Sequence, residues 1–179
     1  MKFPESAFWD FSIDFYQRPN VEKSCLTLQD EFSLNVNLIL FCYWLAIEKK
    51  QVLSDDNWAE LLHASLLWEE IIKSLRESRR MITHSTIPWP NDFKQKTKKS
   101  VSKIEMNSEH MQQVSIEKAW EKLSHNVSEI HYQEIINENL KNYLTATNSK
   151  ISMNDISKET SQLLEASTHY RENNQTIAL

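Results

Sequence analysis

Asn35-Val36-Asn37-Leu38-Ile39-Leu40-Phe41-Cys42-Tyr43-Trp44-Leu45 decides the fold of this 179-residue chain. The apolar run extends to Ile47 with Asn37 as its one polar member. A helix that is apolar on every side is buried in protein. This one is too short for a bilayer, which needs about 20 apolar residues. Asn35 is suited to cap it, and the spacing predicts a central helix over residues 36–49. Aromatic residues crowd the same half: six of seven Phe precede residue 42, and four of six Trp precede residue 70. Such a block specifies a packed core and names no reaction.

Helices are expected on both sides of this centre. A first helix over residues 5–17 suits Pro4 at its start and ends at Arg18-Pro19-Asn20. Asn20 is the expected cap of a second, over residues 21–32, whose apolar face is Val21, Cys25, Leu28 and Phe32. Ser54-Asp55-Asp56 opens a fourth, with Ser54 as cap and two carboxylates in the first turn. Trp58, Leu61, Ser65, Trp68, Ile72, Leu75, Arg79 and Ile82 then recur by threes and fours to about His84. Ile87-Pro88-Trp89-Pro90 breaks the pattern. Beyond it a long polar helix is expected, with a narrow stripe of Val101, Ile104, Met111, Val114 and Trp120. The stripe continues to Ile130, or is interrupted by a fresh cap at Asn126. Ile135, Ile136, Leu140, Tyr143 and Leu144 form a further amphipathic segment. A weak last helix runs from about Ser152 to Tyr170, before a disordered tail. The reading is all-α: an aromatic bundle over residues 1–84, a helical hairpin or extension over 85–150, and a weak C-terminal part over 151–179.

Composition narrows the function. The chain has no glycine at all, where about 7% is average. Glycine-dependent phosphate loops and dinucleotide turns are therefore excluded, and helices joined by Asn, Ser and Pro are favoured. The N-terminal residues carry Glu5, Asp10 and Asp14 and do not read as a secretory leader. Cys25 and Cys42 read as buried thiols of a cytoplasmic protein. No cofactor and no metal is expected. A di-iron bundle needs two Glu-x-x-His pairs, and Glu60/His63 is the single one present. Neither cysteine has a sequence-local histidine to activate it. Asp10 and Asp14 read as an exposed acidic stripe.

Charge is unevenly distributed. Residues 1–72 carry five Lys/Arg against twelve Asp/Glu, and residues 73–103 carry nine against two. Lys73, Arg76, Arg79, Arg80, Trp89, Lys94 and Lys98 form the candidate binding patch, a basic knob if the two flanking helices make an antiparallel hairpin. Such a patch suits phosphates of nucleic acid or lipid, or an acidic protein surface. The bland alternative is that its lysines solubilise a helix and its arginines pair with the acidic first half.

The strings Phe8-Trp9-Asp10-Phe11-Ser12, Tyr16-Gln17-Arg18-Pro19, Cys25-Leu26-Thr27-Leu28-Gln29-Asp30 and the central run resemble a family of small uncharacterised proteobacterial proteins, a domain of unknown function. Trp68, Leu75, Arg76, Arg79 and Arg80 match its later helix, and Asn139-Leu140 with Tyr143-Leu144 its last motif. The resemblance implies no activity. Asn20 and Ser33 stand where relatives carry glycine, so the second turn is expected to differ. The functional expectation is a non-enzymatic cytoplasmic adaptor with a protein partner. It recognises that partner through the basic tip and the second-half helical surface, which pairs with itself in a dimer, docks on a partner helix, or packs on the bundle. The alternative is a small-ligand carrier or enzyme whose pocket is lined by Trp9, Asn37, Cys42, Trp44 and His63.

Overall fold

The computed structural model describes residues 3–177, with side chains through residue 173, and their regular elements are all helical. In chain order these are α1 Ala7–Tyr16, α2 Val21–Asp30, α3 Val36–Trp44, α4 Asp55–His84, α5 Asn91–Trp120, α6 Tyr132–Ala146 and α7 Ser157–Ile177. A π-helical turn, Leu45–Lys49, carries α3 onward to the expected end of the central helix. The last helix, expected to end near Tyr170, is corrected: α7 runs from Ser157 to Ile177, and the rest of the expected tail, 178–179, lies outside the described residues.

The caps follow the sequence at two helices, α3 and α4, and depart from it at α1 and α2. Asn35 Oδ1 accepts from the Asn37 and Leu38 N–H groups. Ser54 caps α4 in a reciprocal box with Asn57, satisfying donors that a helix start leaves open. α1, by contrast, begins at Ser6, whose Oγ accepts from Trp9 N–H at 3.0 Å, and not at Pro4. Asn20 makes no side-chain cap, because it occupies the left-handed region at φ 65°. Side-chain capping favours extended geometry at that position.

A chain without glycine still needs left-handed residues. Besides Asn20, they are Ser33 (φ 55°), Lys50 (φ 52°) and Asn148 (φ 50°). Three of them end helices. Leu34 N–H reaches back to Leu28 O at 3.1 Å, Gln51 N–H to Leu45 O at 3.2 Å and Ser149 N–H to Leu144 O at 3.1 Å. These are closures of the kind glycine normally serves. α2 therefore stops at Asp30, and Phe32 lies outside it.

Trp44 is the centre of the core. Its ring lies 5.5 Å from Phe8, 5.2 Å from Phe41 and 5.0 Å from Trp120, within the range of favourable aromatic pairs. One cluster joins α1, α2 and α3 to the start of α4, the end of α5, α6 and α7. Asn139 on α6 is fully buried. Its Oδ1 accepts from Leu53 N–H at 2.9 Å and its Nδ2 donates to Gln51 O at 2.8 Å, fixing the segment between α3 and α4.

α4 and α5 form a long antiparallel hairpin. Trp68 Nε1 donates to Ser115 Oγ, and Arg79 pairs with Glu105; the partners' numbers rise on one helix as they fall on the other. The expected α4 face is the inward one, with Trp58, Leu61, Ser65 and Ile72 buried. The expected α5 stripe holds at Val114 and Trp120, which are buried, and is corrected at its N-terminal end. Ile104 is exposed, while the buried positions are Glu105, Ser108, Gln112, Gln113, Val114, Ile116, Glu117 and Trp120. Over its first half the apolar stripe is outcompeted because α5 there faces the arginines of α4 and the polar start of α3, where carboxylates and amides find partners. The helix also ends at Trp120, so Val127 and Ile130 are exposed in an irregular segment. Asn126 caps nothing, and α6 starts after His131.

Candidate functional site

Between α1, α2 and the start of α3 on one side and the α4–α5 hairpin on the other lies a cleft of about 670 Å³. This is within the size range of small-molecule sites. α1 contributes Trp9, Ser12 and Tyr16, α3 contributes Asn37 and Leu40, α4 contributes Lys73, Arg76 and Arg79, and α5 contributes Glu105, Glu109, Gln112 and Gln113.

Its floor is a buried chain of amides. Asn37 Nδ2 donates to Gln112 Oε1, Gln112 Nε2 donates to Ser65 O at 3.1 Å, and Gln113 Nε2 donates to Asn37 Oδ1 at 2.8 Å. Two residues that line the cleft each bury a polar atom with no protein partner among the described residues: Gln113 Oε1 and Ser12 Oγ. These residues are 2% and 4% exposed. A buried polar atom left unpaired costs about 1–3 kcal/mol, so two in residues lining one cleft constitute a specific chemical feature.

One wall is ionic. Arg79 holds Glu105 at 2.6 Å and 3.1 Å, a charge-assisted fork that raises the guanidinium above its usual range. Arg76 bridges Glu105 at 3.4 Å and Glu109 at 3.2 Å. Both contacts exceed the usual 2.7–2.9 Å or so of a strong charge-assisted bond, so Arg76 is held loosely. Burial raises the Glu109 carboxyl above its ordinary value despite Arg76. Lys73 makes no ion pair among the described residues. Burial also raises the Tyr16 hydroxyl. On the aromatic side Trp9 stacks on His110, with centroids 4.3 Å apart; burial lowers the imidazole.

The residues read from the sequence distribute as follows. Lys73, Arg76, Arg79 and Arg80 share the cleft-facing side of α4; Arg80 reaches Asp30 on α2 at 2.6 Å. The tip residues are separate from them. Trp89 lies 5.4 Å from Phe93, and Lys94 Nζ donates to Ser85 O at 3.2 Å, with Lys98 one turn farther along α5. Of the alternative pocket, Trp9 and Asn37 line the cleft. Cys42 and Trp44 are sealed in the core, and His63 is exposed on α4. Asp14 forks onto Arg18 at 2.9 Å. Among the described residues no three His, Cys, Asp or Glu side chains converge as a metal set, and no helix is long and apolar enough to cross a membrane.

Sequence reasoning missed Ser12, Glu105, Glu109, Gln112 and Gln113. The available signal was the spacing of 105, 109 and 112 on α5. Polar side chains at those intervals share one helix face, opposite the equally periodic arginines of α4.

No curated protein and no solved structure gives a significant match to the chain. The family described as protein of unknown function DUF2390 matches residues 7–116, which span α1 to most of α5 and include every residue named above as lining the cleft, and the chain belongs to that family.

Proposed function

We propose that the chain binds a small polar molecule in the cleft, as a carrier or sensor. The observation that carries the reading is that two residues lining the cleft, Gln113 and Ser12, hold buried polar atoms with no protein partner among the described residues. An amide oxygen can only accept, so the inner end asks for an N–H or O–H donor. The outer end offers Lys73 and the loosely held Arg76, which suit a carboxylate or phosphate. A ligand with a donor at one end and an acidic group at the other, such as an amino acid or hydroxy acid, fits both. Two free cysteines buried in the core support a reducing, cytoplasmic setting. Burial pushes Cys25 up to about 12, which supports binding over thiol chemistry.

Native mass spectrometry of the purified chain, with a thermal-shift screen of amino, hydroxy and phosphorylated acids, tests the reading. Binding lost in Gln113→Leu and weakened in Arg76→Met supports it. A chain with no adduct and no shift across the screen overturns it.

A second reading is an interaction protein that pairs with its own copy. In its favour, Leu67, Ile71 and Met81 are 68%, 39% and 74% exposed and recur along one face of α4. Light scattering should then find a dimer that Leu67→Lys disperses; a monomer at all concentrations counts against it.

A further inference from the structure

We infer that the tip of the α4–α5 hairpin docks on an anionic lipid surface, inserting Ile87 and Phe93 to headgroup depth. Ile87 is 63% exposed and Phe93 55% exposed, with Met81 one turn before the end of α4 at 74%. Trp89 sits against Phe93. Lys94, Lys96, Lys98 and Lys99 follow within the first turns of α5, Lys96 standing 3.8 Å from Asp92. Asp92 is the one acidic residue between 78 and 104. Lysines following exposed apolar side chains are the arrangement that anionic headgroups attract.

The backbone of the tip adds an independent observation. Pro88 and Pro90 have no N–H. Ile87 N–H donates to Ser85 Oγ at 3.1 Å, and Trp89 N–H donates to Ile87 O at 2.8 Å. From residue 87 to residue 90 no backbone donor is left unbonded. A loop that stays in water has no need of this, because water serves its donors. Bonded donors lower the cost of seating this turn among headgroups, and the uncapped first N–H groups of α5 after Pro90 face the same layer, where headgroup oxygens can accept from them. Lys94 Nζ likewise covers Ser85 O.

This inference is independent of the cleft, which the tip residues do not line.

The test is flotation of the full chain with phosphatidylcholine vesicles, with and without about 30% phosphatidylglycerol. The expected result is binding to the anionic vesicles alone, weakened by salt and reduced about tenfold or more by Ile87→Ser/Phe93→Ser. Lys96→Glu/Lys99→Glu should reduce it as well. All four positions are exposed, so circular dichroism should show the fold retained. No binding to anionic vesicles overturns the inference. So does binding that the Ile87→Ser/Phe93→Ser variant leaves unchanged, since that would be lysine attraction without insertion. Binding of a single-stranded oligonucleotide in place of vesicles would also overturn it.

Discussion

Asn139→Leu should be among the most damaging single changes in this protein, although it replaces a polar residue by an apolar one of similar size inside the core. Asn139 is fully buried and serves two backbone groups, Leu53 N–H at 2.9 Å and Gln51 O at 2.8 Å. Both belong to residues that are themselves buried, Leu53 and Gln51. Leucine satisfies neither. Each orphaned buried group costs about 1–3 kcal/mol. The added apolar surface recovers part of this, so the net loss is about 2–5 kcal/mol. For a chain of this length that lowers Tm by about 4–20 °C. The assay is urea unfolding followed by tryptophan fluorescence and circular dichroism, with the midpoint falling and the slope m unchanged. Asn139→Asp separates the two bonds: it keeps the acceptor for Leu53 N–H and sets a carboxylate against Gln51 O. It should therefore be at least as damaging at neutral pH. A leucine variant within about 1 kcal/mol of the parent would refute the reasoning, because the segment leaving the π turn would not then depend on this amide.

Two further outcomes are expected. Ser33→Gly and Lys50→Gly should each stabilise by about 0.5–1 kcal/mol, because the left-handed geometry at φ 55° and φ 52° costs a side-chain-bearing residue more than glycine's extra chain entropy does; chemical denaturation checks each, and a destabilised glycine variant would contradict the account. Burial raises Glu109, so the folded chain holds that proton to higher pH than the unfolded one. Its contribution to stability then falls as pH rises between the unfolded and folded values. Glu109→Gln should accordingly be more stable than the parent near pH 7, with the difference vanishing below about pH 4, as read from thermal unfolding across pH.

The helical architecture was legible because each level of the sequence pointed the same way. The 36–47 run has one stable solution, a helix sealed on all sides, and Asn35 and Ser54 supplied starts for α3 and α4 that the structure retains. The start of α1 was misplaced for a local reason: Pro4 suits a first turn, but Ser6 accepts from Trp9 N–H and so fixes the start; α2 starts at Val21 as expected, without the side-chain cap expected of Asn20. The candidate site was legible only in halves. The arginines of α4 announced themselves by charge and spacing. Their carboxylate partners on α5 did not, because that helix also carries an apolar stripe, and periodicity alone favours the stripe.

What the sequence determined by itself is therefore the set of helices, the aromatic core and the lack of glycine-built motifs. These depend on local propensity and on burial, which adjacent residues encode. The tertiary structure decided which face of α5 turns inward, which residues accept left-handed geometry in place of glycine, and that Ser12, Asn37 and Gln113 meet across three helices. The left-handed closures are local, but the inward face of α5 and the meeting of α1, α3 and α5 depend on partners about 25 to more than 100 residues away, as in Arg79 with Glu105 and Ser6 with Glu117. A hydrogen bond or ion pair gains its worth from desolvation, and desolvation exists only once the helices have come together.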